Sequence, residues 1–248
     1  LKQTQAQLVQ SGKLTSIGEL AAGVAHELNQ PLMVIRGQAQ MLLQGQAADS
    51  EVFEDLSIIE RNTKRVMRII DHLRTFSRQS HLDFQPVDVN RMVEESFLLI
   101  EEQLRLSGIR VERKYLENLP AVYGDINQLE QVFLNLITNA RDAIEKRRSL
   151  EKYPSDQIKD EITVETRTHA TDPEWIEIYV KDTGEGVSSE VLNKIFDPFF
   201  TTKEVGKGTG LGLSISYGII KDHRGDIEVI DTGDGGTTFC IRLPRHNK

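Results

Sequence analysis

The chain has 248 residues, 38% of them apolar and 27% charged, enough for one large or two small folded domains. A formal charge of -8 argues against a nucleic-acid binder, which would present a basic face. Cys240 is the only cysteine, so an internal disulfide is excluded and a cysteine-based zinc site is disfavoured. No apolar run approaches a membrane span and no signal peptide is visible, so this stretch is expected to make no membrane contact. The sequence opens at Leu1, inside a helical pattern, as a fragment of a longer protein would.

Residues 1–80 read as two long helices. Leu14, Ile17, Ala21, Val24, Leu28, Pro31 and Ile35 alternate in steps of three and four, and Leu56, Ile59, Thr63, Val66, Ile70 and Leu73 repeat the pattern. Gly45 marks the break between them, with Asp49 or Ser50 as the helix cap. A lone hairpin buries too little, so two chains forming a four-helix bundle is the natural solution. Residues 81–88 read as a linker. From 89 to 248 the signals mix: helices over 89–108, 125–148 and from about 211, strands over 109–115, 161–168 and 175–182, and a terminal hairpin over 226–243. This predicts an α+β sandwich with helices on one face of a mixed or antiparallel sheet. The polar stretch 149–160 reads as a surface insertion.

Three glycine-rich segments fall in this second region: DTGEGV (182–187), GKGTGLGLS (206–214) and TGDGGTTF (232–239). GKGTGLG ends in no Lys-Ser or Lys-Thr pair and is not a phosphate-binding Walker loop; it also lacks the context of a dinucleotide fingerprint. Together the segments suggest successive backbone approaches to one phosphate-bearing ligand, with a helix start adding its positive end. Asn135 and Asn139 are one helical turn apart and share a face. They suit an ordinary surface pair, or two amide oxygens toward Mg²⁺ whose shell is completed by phosphate. Asp182 suits a turn, or an acceptor for an adenine amino group.

In order, GELAAGVAHELNQPL, NLITNARDAI, DTGEGV, FDPFFTTK, GKGTGLGLS and GDGGTTF resemble the phosphoacceptor, asparagine, glycine and phenylalanine motifs of two-component sensor histidine kinases. The resemblance spans essentially the whole chain. It implies a dimerisation and phosphoacceptor hairpin (1–80), a linker (81–88) and a gyrase/Hsp90-like ATP-binding domain (89–248). It also implies ATP and Mg²⁺ as cofactors, a homodimer, a response-regulator receiver domain as partner, and no nucleic acid. The implied placement is cytoplasmic for this stretch, with an inner-membrane anchor elsewhere in the full-length protein left open.

By the same resemblance His26 is the phosphoacceptor and Glu27 its hydrogen-bond partner or general base. Asn139, with Asn135 beside it, holds Mg²⁺. Asp182 reads adenine, with Gly184 and Gly186 shaping the pocket. Gly208, Thr209, Gly210, Leu211 and Gly212 form the phosphate-side lid, Lys203 lies just before it, and Phe196, Phe199 and Phe200 latch it. Thr237 and Thr238 support the last strand and the pocket rather than perform chemistry, and Thr238 is counted with the ATP-binding residues.

Helical geometry places His26 away from the side shared by Val24 and Leu28, which disfavours a packed core histidine, and HELNQ lacks the second histidine of a zinc motif. Many members carry Thr or Asn four residues after the histidine, where it positions water for receiver dephosphorylation. This chain has Gln30, preceded by Asn29, so phosphatase activity is less secure than kinase activity. Gyrase-type ATPases place a water-activating Glu where this chain has Asn135. An ATP-hydrolysing conformational machine and a non-enzymatic dimeric scaffold are the competing readings.

Overall fold

The computed structural model describes residues 28–47, 50–77, 83–150, 159–203, 208–233 and 235–246. His26, Glu27, the first half of the first apolar stripe, the candidate cap Asp49 and most of the 149–160 insertion lie outside these residues. The chain divides into two compact units, one comprising 1–80 with 202–209, the other 81–201 with 210–248.

In the first unit, α1 runs through residues 28–43 and α2 spans Glu51–Ser77. Ser50 caps α2: its Oγ accepts from the Phe53 N–H at 3.1 Å. The hairpin is tied by Arg36, whose Nε lies 2.9 Å from Glu60 Oε1, and by Gln40, which donates to the same oxygen at 3.1 Å. Ala39, Thr63 and Ile70 are buried, whereas Leu28, Ile35, Ile59 and Val66, all on the expected seam, remain over 40% exposed. One chain therefore covers only part of its own apolar stripe. No helix among the described residues is long and apolar enough to cross a membrane.

The second unit is a five-stranded mixed sheet in the order β2-β4-β5-β7-β6. Its strands are β2 (Arg110–Tyr115), β4 (Glu161–Thr168), β5 (Trp175–Asp182), β6 (Asp226–Gly233) and β7 (Gly236–Pro244). β2 and β4 are parallel and the other pairs antiparallel. Helices α3 (Val89–Leu106), α4 (Ile126–Arg148) and α5 (Gly212–Asp222) bury apolar stripes. Period-two alternation turns Ile162 and Val164 of β4, Ile176, Ile178 and Val180 of β5, and Phe239, Ile241 and Leu243 of β7 into the core. Phe97 of α3 meets Phe133 of α4 edge-on at 5.3 Å. Asp88 caps α3 and Asp125 caps α4, the latter accepting from Asn127 and Gln128. The expected α+β architecture is the observed one.

The linker expectation needs correction. Within 81–88, Gln85–Val87 form strand β1, paired antiparallel with β3 (Val122–Gly124), a short strand the sequence reading left out. Proline is tolerated there because this two-stranded ribbon is all edge. Phe84 stacks on His223 with ring centroids 4.8 Å apart, and the Asp83 N–H donates to Asp125 Oδ2 at 3.3 Å. His223 is buried and links two helix ends: its Nε2 accepts from the Asp125 N–H at 2.9 Å and its Nδ1 lies 2.8 Å from the Ile219 carbonyl oxygen. A carbonyl only accepts, so the ring proton sits on Nδ1.

Candidate active site

The site is organised by one face of α4. Leu136, Ile137, Ala140 and Ile144 point into the core, which leaves Asn135, Asn139 and Ala143 along the flank. At one end Asn135 reaches α5: its Nδ2 donates to Ser216 Oγ at 2.9 Å. At the other end Ala143 meets the loop after β5, where its carbonyl accepts from Glu185 N–H at 3.3 Å and Lys146 Nζ lies 2.7 Å from Glu185 Oε1. Asn139, half-buried, stands midway, about 6 Å along the helix from each contact.

Asp182 ends β5 on the same face as Ile176, Ile178 and Val180, so strand alternation carries a carboxylate into the core layer, where it is 4% exposed. Its Oδ1 accepts from Gly184 N–H at 2.7 Å and from Thr237 N–H at 3.3 Å; Oδ2 takes part in neither bond. Burial pushes its pKa up to about 6, against the lowering effect of those N–H groups and of Arg147. The glycines around it are required by space. A Cβ on Gly184 would lie 2.5 Å from Ala143 Cβ, and one on Gly236, at φ +107, would lie 1.8 Å from the Asp182 carbonyl oxygen. Gly186 adopts φ +78 against the Gly233 backbone.

On the α5 side of the site, Leu211 stands at the N-cap of α5 and supplies no capping side chain, and the N-terminal end of the helix dipole faces the site. Gly210, at φ +68, lies under the Phe199 carbonyl: a Cβ there would be 2.5 Å from that oxygen. Phe199 itself adopts φ 65, and Phe196 packs on Tyr217 of α5 at 5.5 Å. The phenylalanine and second glycine motifs thus meet at the start of α5. Lys203, Gly208 and Thr209 are half-buried and group with the first unit.

The structure therefore brings together Asn135, Asn139, Asp182, Gly184, Gly186, Gly210, Leu211 and Gly212 around α4 and α5. It does not place Thr238 with them. Alternation along β7 turns Thr237 inward and Thr238 to the other face, and the contact with Asp182 falls to Thr237. Of the first-unit candidates, Asn29 is half-buried and Gln30 exposed on α1.

Three supporting residues were missed. Thr232 accepts the Val187 N–H at 2.7 Å and so holds the far end of the DTGEGV loop. Arg147, 4% exposed, donates to the Thr183 carbonyl and pairs with Asp160. Ser216 grips Asn135. Arg147 stands three residues beyond Ile144 on the apolar stripe of α4, which is the signal that marks it.

Family comparisons agree with this geometry. The model for the His Kinase A (phospho-acceptor) domain matches residues 16–82, and that for the histidine kinase-, DNA gyrase B- and HSP90-like ATPase matches 124–247. Two-component sensor PprA of Pseudomonas aeruginosa is 36% identical over 248 residues, covering 98% of this chain. The chain belongs to the two-component sensor histidine kinases. Signal transduction histidine-protein kinase AtoS of Escherichia coli is likewise 36% identical over 247 residues, 98% of this kinase chain. The chain spans only 26% and 37% of these two relatives' own lengths. The crystal structure of histidine kinase ThkA in complex with response regulator protein TrrA aligns with a TM-score of 0.65 at 25% identity, covering 99% of this kinase and 67% of that chain. The kinase thus carries the phosphoacceptor and ATP-binding modules of a protein-histidine kinase on one chain.

Proposed function

We propose that this kinase core binds Mg²⁺–ATP in its second unit, phosphorylates its own His26, and passes the phosphoryl group to an aspartate of a response-regulator receiver domain. The observation that carries the nucleotide reading is Asp182, a carboxylate in the core layer, cradled by glycines and by N–H groups that converge on one of its oxygens. Oδ2 is suited to accept from the adenine amino group, whereas guanine, with a carbonyl at that position, would meet it acceptor to acceptor. The phosphates extend toward the start of α5, where the positive end of the helix dipole lies.

The donor set fits a metal delivered with the nucleotide. No cluster of three or more His, Cys, Asp or Glu among the described residues is able to hold an ion alone. Asn139 would hold Mg²⁺ through its amide oxygen, with Asn135 beside it, and the ion would screen phosphate charge.

In the reaction an unprotonated ring nitrogen of His26 attacks the γ-phosphorus. The P–N bond forms, the bond to the ADP oxygen breaks, and Glu27 accepts the hydrogen bond from the other ring nitrogen, which stabilises the cationic ring. The receiver carboxylate then displaces the imidazole. The pairing of ThkA with TrrA, a response regulator protein, supports that partner. The exposed seam residues Leu28, Ile35, Ile59 and Val66 support a second copy of the chain as the bundle's other half. Gln30, exposed and beside Asn29, is suited to orient water for receiver dephosphorylation. An ATP-hydrolysing machine is disfavoured by Asn135, an amide engaged with Ser216 and a poor base for water.

Incubation of the chain with Mg²⁺ and γ-³²P-ATP, alongside H26Q and N139A, tests the reading. Acid-labile label on the unaltered chain and its loss in both variants is expected. Label that persists in H26Q moves the acceptor elsewhere, and phosphate release without label returns the ATPase reading.

A further inference from the structure

Asn135 is aligned with the metal and nucleotide face of α4, yet its side chain is engaged across the helix pair rather than along that face. Its Nδ2 donates to Ser216 Oγ at 2.9 Å, and Ser216 is 1% exposed. One turn earlier on the same side of α5 stands Gly212, where an added Cβ would lie 2.3 Å from Asn135 Oδ1 and 3.0 Å from its Cγ. The carboxamide therefore lies along the first turn of α5, in a seat made by a missing side chain at Gly212 and a hydroxyl at Ser216.

That first turn is the end of α5 without a side-chain cap. Helix ends lacking caps fray, because their backbone groups gain little by staying helical. Here the turn is held from outside, by Leu211, which is 5% exposed, by Gly210 under the Phe199 carbonyl, and by the Asn135 amide. The amide ties α5 directly to the helix that carries Asn139.

We propose that Ser216 is a positioning residue: through Asn135 it fixes the phosphate-facing turn of α5 against α4. The proposal rests on the nucleotide-binding reading above. It makes the polar residue at position 135 a strut between two helices and predicts a defect confined to the phosphate end of the ligand. Adenine recognition at Asp182, built on β5 and β7, does not pass through the strut.

The test measures affinity for adenosine, ADP and ATP by displacement of a fluorescent ATP analogue, in EDTA so that no metal contributes. S216A is expected to weaken ADP and ATP about three- to tenfold, the worth of one hydrogen bond, with adenosine changed less than twofold. N135A, on a half-buried flank, should show the same pattern. The double variant should lose no more than either single one. Parallel loss of adenosine affinity, unchanged ATP affinity, or additive losses would each overturn the strut while leaving the nucleotide site standing. Absence of binding by the unaltered chain would remove the nucleotide reading itself, and the strut with it.

Discussion

Replacing Asp182 by Asn separates the stability of the nucleotide pocket from its affinity. The Asp182 carboxyl is raised from its ordinary 3.8 to about 6, chiefly by burial. At about 1.4 kcal/mol per tenfold change in proton affinity, the ionised form costs the ligand-free fold about 3 kcal/mol. A folded-state value above the unfolded one means that the folded chain binds the proton more tightly. The stability this confers is fully present below about pH 4 and is lost as pH rises through 6. D182N carries no such charge and its carbonyl oxygen can still accept from Gly184 and Thr237. It should be more stable than the unaltered chain at pH 8 by up to about 3 kcal/mol, with the gap closing toward pH 4. Its ATP affinity should fall roughly 10- to 100-fold, the range for a hydrogen bond to a charged group. Urea unfolding followed by the fluorescence of Trp175, the single tryptophan and part of β5, reports on the unit concerned. A variant less stable than the unaltered chain at pH 8, or a gap independent of pH, would refute the reasoning.

Three further substitutions probe the frame around the pocket. G236A places a Cβ 1.8 Å from the Asp182 carbonyl at φ +107 and should cost more than about 2 kcal/mol and weaken ATP binding, whereas G235A, with open space around it, should change the melting temperature little. H223F leaves the Asp125 N–H without its acceptor, whereas the Ile219 carbonyl keeps the backbone N–H of residue 223. It should lower stability by about 1–3 kcal/mol and speed hydrogen exchange at the Asp125 amide; unchanged exchange there would count against the bridging role.

What was readable in the sequence was whatever depends on a short repeat. The alternation in EITVETRT and WIEIYVKD gives β4 and β5 with the observed bounds, and it also explains why Asp182 is buried. The stripe of α4 fixes which side Asn135 and Asn139 share. Contacts between segments far apart in the chain were not readable. Asn135 and Ser216 are 81 positions apart, and only the docking of α4 on α5 makes them neighbours. Thr237 and Thr238 read together as support for the last strand and pocket, because two adjacent threonines look alike until the strand's phase is known; the contact with Asp182 falls to Thr237. The stretch 81–88 looked like a linker because three residues around a proline carry no periodicity, and their pairing partner, Val122–Gly124, is equally short. His26 rests on the motif around it.

The ribbon formed by Gln85–Val87 bears on where the chain can be divided. The second unit makes contacts of its own several residues before its first helix: Asp83 touches the α4 cap and Phe84 covers His223. A cut made at Val89 would take away the strand that backs Val122–Gly124 and uncover the imidazole on which two helix ends close. A piece that keeps the second unit's own contacts is therefore the longer one, beginning no later than Asp83.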